Sequence, residues 1–248
     1  MARFNIVMQG SNIRTDQGSI GLSTVALIDS HARILLDTGH FGTRRYLLNS
    51  LKKLGISPSD IDIVIVSHAH WDHSLNLDLF QKATIVINAK EFDFIHRVDE
   101  NNWATPRIIA SLLDSMKIRK TVGDQDIFDD VRVIETPGHS VGHQAVLIKT
   151  DEGPVLFTQD AIPTLRSYHR GIPDYVTTNE QEARRSVVKL KEVNPSIYYP
   201  GHDRPFRISD GTPRYVGHSS LGVIIRRETE ENLRIVMGTE DPEKPEMI

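Results

Sequence analysis

Four side chains that can ligate a metal fall within six residues: His68, His70, Asp72 and His73, in the run Ser67-His68-Ala69-His70-Trp71-Asp72-His73. Neutral imidazole nitrogen and carboxylate oxygen are donors that zinc and similar borderline cations accept, and an irregular segment lets near neighbours turn toward different ions. His68 and His70 can serve one ion, Asp72 and His73 a second. Three more donors follow: His139 in Thr136-Pro137-Gly138-His139, Asp160 in Phe157-Thr158-Gln159-Asp160, and His202 in Tyr199-Pro200-Gly201-His202. The 248 residues contain no cysteine, so thiolate ligands, disulfides and a cysteine nucleophile are excluded. Two divalent ions held close together lower the pKa of water toward neutrality and polarise a carbonyl or phosphoryl oxygen, which is the chemistry of hydrolysis.

Such a motif works only if strands deliver it. Ile61 to Val66 is apolar and β-branched apart from Asp62, short enough for a buried strand, and it ends at Ser67. Residues 4–8, 22–29 and 32–36 read as opening strands, the last running into Asp37-Thr38-Gly39. Leu47, Leu51 and Leu54 recur at helical spacing over 43–54, with Gly55 placed as a C-terminal cap. Further strands are expected at 84–88, 131–135, 144–149, 154–158 and 196–199. A helix over 179–193 carries Ala183, Val187 and Leu190 on one face, with Thr177 and Glu180 as its capping box and Asn194-Pro195 as its stop. A hairpin pairing 221–227 with 233–237 and a frayed polar end complete the reading, which is one α/β domain over 1–248 with 203–248 as an extension packed on it.

Hydrophobic residues make up 39% and charged residues 25%, the composition of an ordinary soluble globular chain. A net charge of −4 supplies no general attraction to nucleic-acid backbones or anionic lipid. No apolar run approaches the ~18 residues of a membrane span, and the first residues lack a secretory leader pattern, so a cytoplasmic protein is expected.

Asp37 after an early strand, H-x-H-x-D-H, Gly138-His139, Asp160 and Gly201-His202 occur in the motif order of the metallo-β-lactamase fold superfamily, which the chain resembles over residues 30 to 203. The resemblance implies a four-layer αβ/βα sandwich of two mixed β-sheets flanked by helices, with the site at one edge. It implies that His68, His70 and His139 bind one metal, that Asp72, His73 and His202 bind a second, and that Asp160 bridges them. Asp37 would stand behind the ligands and orient an imidazole N–H. The implied cofactor is two divalent ions, zinc first, with iron or manganese also compatible with N/O donors. The implied activity is hydrolysis of a small ester, lactone or related carbonyl substrate, with Asp72 also moving a proton.

Departures from known branches narrow this. The absence of cysteine excludes the zinc β-lactamases that use a cysteine ligand, and the all-histidine class lacks the bridging Asp. Glyoxalase II-type enzymes carry a helical region where this chain reads as partly β, and flavodiiron proteins have Glu at the position of His70. The β-CASP nucleases need a large insertion for which the stretch between Asp160 and His202 has no room. Acyl-homoserine lactonases share the ligand set but often place a Tyr where this chain has Pro163. Leu77-x-Leu79-Phe80 and Pro200-Gly201-His202-x-x-Pro205-Phe206-Arg207 most resemble the metallo-β-lactamase domain-containing protein 1 subgroup, some members of which are linked to RNA cleavage. Alternatives therefore remain: a phosphodiesterase or ribonuclease, a mononuclear-iron persulfide dioxygenase, and a metal-binding protein without turnover.

Substrate selection is expected in loops over the metals: 9–20, 97–128 with Trp103, and Arg166-Ser167-Tyr168-His169-Arg170. Tyr168 or His169 is a candidate oxyanion donor, and Arg166 or Arg170 a candidate holder of a substrate carboxylate or phosphate. The run Gly138-His139-Ser140-Val141-Gly142 fits G-x-S-x-G, but Gln144 to Lys149 reads as a strand where a nucleophile elbow needs a helix. His31, His40, His96, His143, His169 and His218 hold no ligand position and read as surface or structural residues, with His40 after the Asp37 turn and His143 after the His139 loop expected near the site in structural roles. The expected partner is a small molecule rather than nucleic acid or membrane, and exposed strand edges leave a homodimer open.

Overall fold

Side chains alternate across the strands with a period of two, and in this chain both faces of the early strands are apolar. Leu27 and Leu35 turn to one side, while Ala26, Ile28, Ile34 and Leu36 turn to the other. A sheet apolar on both faces must be covered twice, and the computed structural model shows how. It describes residues 1–217 and the strands Ser220–Ile225 and Leu233–Gly238.

Two mixed sheets are laid down in chain order. The first takes Arg3–Met8, Val25–Asp29, Arg33–Leu36, Ile63–Ile65, Thr84–Asn88 and Lys117–Thr121 side by side. The second takes Gln125–Phe128, Val131–Glu135, Gln144–Thr150, Gly153–Gln159, Ile197–Pro200, Phe206–Ser209 and Thr212–Tyr215. Pairing is parallel from Arg33–Leu36 through Lys117–Thr121, and again where Gly153–Gln159 meets Ile197–Pro200. Between the sheets lie Ile28, Ile34, Leu36 and Val86 against Val133, Val146, Ile148 and Phe157, each contributing roughly 1.5–3 kcal/mol by leaving water. Outside the first sheet, Leu47 and Leu51 of the helix Arg44–Lys53 pack on Leu27 and Leu35. Outside the second, Val187 and Leu190 of the helix Glu180–Glu192 pack on Leu156 and Tyr198. The result is the expected four-layer α/β arrangement.

Several local expectations are corrected. Asn179, not Thr177, caps the second helix, accepting the Glu182 N–H; Thr177 instead donates its hydroxyl to the His139 carbonyl at 2.9 Å. Leu54 is 42% exposed and stands just past the end of the helix Arg44–Lys53, not on its buried face. The 97–128 region is no plain loop, since it holds the helix Ile108–Asp114 and the strands Lys117–Thr121 and Gln125–Phe128. Lys117–Thr121 is an edge strand with its lysines in solvent, a composition that protects an edge and hides it from an apolar-pattern reading. Arg166 to Arg170 lie in a short helix, Leu165–Arg170, capped by Thr164. The expected C-terminal hairpin forms, Ser220–Ile225 pairing with Leu233–Gly238 as a separate two-stranded sheet. His218 and the polar end from 239 to 248 lie outside the described residues. No helix among the described residues is long and apolar enough to cross a membrane.

Candidate metal centre

Every expected donor stands at or just beyond the carboxyl end of a strand. The motif follows Ile63–Ile65, His139 follows Val131–Glu135, Asp160 follows Gly153–Gln159 and His202 follows Ile197–Pro200. His70 has extended backbone (φ −65°, ψ 149°) and the next residues enter a single helical turn, Trp71–Ser74. That break lets His70 point away from Asp72 and His73. Gly201 is required by close approach, because a Cβ there would lie 2.0 Å from Asp160 Oδ1.

Donor atoms of three groups converge to within 4.8 Å of one another: His68 with His70 and His139, Asp72 with His73 and His202, and His68 with His73 and Asp160. His70 Nδ1 is 2.9 Å from His139 Nε2, and His73 Nε2 is 3.4 Å from His202 Nε2. Asp160 touches both sets, with Oδ2 3.2 Å from His139 and 3.1 Å from His202, and Oδ1 3.4 Å from His73. Asp72 Oδ2 is 3.4 Å from His202 Nε2.

The outer ring nitrogens fix which nitrogen is free to ligate. His139 Nδ1 donates to the Tyr175 carbonyl at 3.0 Å, His202 Nδ1 to the Leu22 carbonyl at 2.9 Å, and His73 Nδ1 to Asp37 Oδ2 at 2.7 Å. Ser67 Oγ spends its proton on Asp37 Oδ2 at 2.7 Å, so it accepts from His68 Nδ1 at 2.9 Å. Each of these four rings therefore turns its Nε2 toward the centre, the nitrogen that a bound cation would take up. Asp37 also accepts the Ser67 N–H at 2.7 Å and the Gln159 amide. Both Asp37 (φ 56°) and Gln159 (φ 43°) hold left-handed backbone, the kind of local strain found where a site over-determines its surroundings.

Two buried atoms, His68 Nε2 and Asp160 Oδ1, have no hydrogen-bond partner among the described residues. Orphaned polar atoms of that kind cost free energy unless a ligand takes them up. Imidazole lone pairs 2.9 Å apart likewise repel unless a cation or proton stands between them. The donor set thus fits metal ions held by nitrogen and oxygen. Burial and the neighbouring imidazoles push His68 and His70 well below the ordinary histidine pKa. Burial opposes charge on His73 too, but Asp160, Asp72 and Asp37 outweigh it and raise its pKa well above the usual value. Burial would favour a neutral Asp160, yet His202, His73 and His139 hold it well below the carboxylate range.

Three residues brace the donors, and two of them, Glu91 and Tyr175, escape sequence reasoning. His143, expected near the site in a structural role, is fully buried; its Nδ1 donates to Thr136 Oγ1 at 2.7 Å and its Nε2 accepts the Asp160 N–H at 3.1 Å, fixing the Asp160 backbone. Glu91 is buried and accepts from Ala69 N at 2.9 Å, Ser140 Oγ at 2.8 Å and Gly142 N at 2.8 Å, so one carboxylate ties the His68–His70 segment to the His139 segment. Ser140 is thereby engaged with Glu91, and the G-x-S-x-G reading loses its nucleophile. Tyr175 supplies the carbonyl behind His139, and its ring lies 5.9 Å from that of His139. No spacing rule in the sequence marks Glu91 or Tyr175, because each acts across a large separation in the chain.

Tyr168 and His169 are not brought to the donors. Tyr168 packs edge-on to Tyr198 and Phe206 at 5.5 and 5.1 Å, under the Lys191 ammonium, on the helix side of the second sheet. His169 and Arg166 are exposed, and Arg170 pairs with Asp174 at 3.1 Å. The helical geometry of Leu165–Arg170 turns Tyr168 into the core, which a loop reading did not anticipate. His40 is no ligand either: its Nδ1 accepts the Gly42 N–H and its ring packs on Trp71 at 5.0 Å.

The donors floor an open cavity of about 480 Å3. His70, Asp72, His139, Asp160 and His202 reach it, and Pro163, Trp103 and Tyr175 form part of its wall.

Residues 19–202 match the family model of the metallo-beta-lactamase superfamily. An N-acyl homoserine lactonase from a Bacillus species is 30% identical over 162 residues, which cover 63% of this chain and 62% of the lactonase. The chain thus spans less than two thirds of the length of the curated lactonases it matches first. Among solved structures, a metallo-beta-lactamase candidate from Thermotoga maritima superposes with a TM-score of 0.69 at 26% identity, over 83% of this chain and 99% of that one. A quorum-quenching N-acyl homoserine lactone hydrolase gives 0.65 at 26% identity, over 82% and 91%.

Proposed function

Because the chain belongs to the metallo-beta-lactamase superfamily, we propose that it is a metal-dependent hydrolase acting on a small ester or lactone. The observation that carries this reading is the convergence of seven donor side chains, two of them with orphaned buried atoms, at a cavity open to a small molecule that five of them line. His68, His70 and His139 would hold one ion, Asp72, His73 and His202 the other, and Asp160 would reach both. Zinc suits these donors first. Two such ions, when bound, supply an acidified water and a polarised carbonyl oxygen. The net reaction adds water across the acyl C–O bond and yields an alcohol and a carboxylate with release of one proton.

The chain's own residues do the rest. Asp37 holds the His73 ring in the tautomer that offers Nε2, the Tyr175 and Leu22 carbonyls do the same for His139 and His202, and His143 fixes the backbone of Asp160. Asp72, facing the cavity, takes the proton of the attacking water at its carboxylate and passes it to the leaving oxygen. The relatives named for N-acyl homoserine lactones favour a lactone, although Pro163 stands where lactonases often carry a Tyr.

The test is metal content per chain by plasma mass spectrometry, on wild type and Asp160→Ala, beside lactone, ester and phosphodiester panels. About two zinc, iron or manganese ions per wild-type chain, fewer in the variant, with turnover of lactones or esters, are expected. A single iron with oxygen uptake on persulfides, phosphodiester turnover alone, or no bound metal after reconstitution would each overturn the reading.

A further inference from the structure

The cavity above the donors is walled by two segments, and both are tied to the donors by hydrogen bonds. One wall is the hairpin of Arg14–Thr15 and Gly18–Ser19, in which Arg14 pairs with Ser19. At its root Ser11 N–H donates to the Leu22 carbonyl at 2.8 Å, the same carbonyl that accepts His202 Nδ1 at 2.9 Å. Gly21, at the hairpin's foot, sits so close to Trp71 that a Cβ would lie 2.2 Å from the indole. The hairpin is therefore seated directly on ligand-bearing chain.

Another part of the wall is aromatic. Trp103 and Tyr175 stand 5.2 Å apart between ring centroids, inclined at 58°. Trp103 is 66% exposed and Tyr175 37%, both lining the cavity. The Tyr175 carbonyl accepts from His139, and the Ala104 carbonyl beside Trp103 accepts the Trp71 N–H at 2.8 Å. Large aromatic surface left in water at the mouth of a cavity is surface kept for a ligand.

Charge in the cavity is as specific. Arg14 is the one lysine or arginine among its lining residues, and its guanidinium has no hydrogen bond or ion pair among the described residues. The carboxylates offer it nothing: Asp174 is engaged by Arg170 and Thr164, while Asp72 and Asp160 face the histidines. A guanidinium left unpaired in a cavity whose wall also carries two exposed aromatic rings offers its planar fork of donors to an incoming carboxylate.

We propose that this site selects an ester or lactone bearing an aromatic portion, packed on the exposed surface of the Trp103–Tyr175 pair, and a carboxylate paired with Arg14. The proposal rests on the hydrolase reading above and narrows it from lactones at large to anionic aromatic ones.

The test compares dihydrocoumarin with dihydrocoumarin-6-carboxylate on the metal-replete full chain. Wild type is expected to favour the carboxylate lactone in kcat/KM. Arg14→Ala should cut that preference at least about tenfold through the KM of the carboxylate lactone, with Arg14→Lys restoring part of it. Trp103→Ala should raise KM for both. If Arg14→Ala costs both lactones the same factor, or if wild type shows no preference, the proposal is overturned. The same two lactones are titrated into metal-free protein, following fluorescence of Trp71 and Trp103, the chain's two tryptophans. Should neither lactone be hydrolysed, the hydrolase reading fails on them while this titration still decides selection. Tighter binding of the carboxylate lactone, lost in Arg14→Ala, supports the role of Arg14, and equal binding of the two refutes it.

Discussion

His68, His70, Asp72 and His73 come from one stretch of chain and are buried, whereas Arg14, Trp103 and Tyr175 come from three distant segments and are exposed. The floor and the rim of one cavity thus follow different physics. On the floor nearly every polar atom has a partner that fixes its orientation, so a substitution there strands buried groups at full desolvation cost. On the rim the side chains keep contact with water, and a substitution changes what is bound more than whether the chain folds. Chemistry and selectivity are thereby separable, and variants on either side should show it.

Asp72→Ala should give the largest effect. Asp72 reaches the cavity and contributes to one donor group, so its loss should lower kcat by about a thousandfold, within the usual range for a proton-transfer residue, with the fold intact by circular dichroism. Unchanged kcat with two metals bound would remove Asp72 from the proton path and place the floor's catalytic weight elsewhere.

Glu91→Ala tests the brace instead of a donor. It strands Ala69 N–H, Ser140 Oγ–H and Gly142 N–H in a dry interior, at about 1–3 kcal/mol for each unsatisfied group. Urea melts of the metal-free protein should lose at least about 3 kcal/mol, and metal affinity should fall by about 10–100-fold, as for other residues that orient ligands. A stable variant with unaltered affinity would show that the two ligand segments hold themselves.

These residues also mark how far the sequence could be read. The donors were legible because a metal centre demands specific residue types at strand ends, and strand ends show as the close of an apolar β-branched run. Asp37 was legible by its place in the same order. Glu91 was not, since a carboxylate that braces backbone needs no motif around it, only a long-range fold that brings Ala69, Ser140 and Gly142 to one point. The rim was legible only as loop ranges containing Trp103. Tyr168 was misread for a local reason: Thr164 caps a helical turn that rotates its ring toward Tyr198 and Phe206. Tyr168→Phe should accordingly keep kcat/KM within about twofold and change stability by no more than about 1 kcal/mol, since the ring packing on Tyr198 and Phe206 is kept. A large kinetic loss would return Tyr168 to the site.

The smallest expected effect contrasts a histidine of the floor with one of the surface. Burial drives His68 and His70 down, while His96, in a shallow site, is driven up by the Phe92 carbonyl at 2.7 Å and the Asp114 carboxylate at 2.9 Å, with Lys120 opposing. A histidine whose folded pKa exceeds its unfolded value stabilises the fold fully below the unfolded value, near 6.5, and loses that contribution as pH rises through the folded one. His96→Gln should therefore cost more stability at about pH 5.5 than at about pH 8.5. The difference should be only a few tenths of a kcal/mol, because the Asp114 partner is largely in water. Urea midpoints at the two pH values measure it, and a cost that grows with pH would mean that the Asp114 pair does not govern His96.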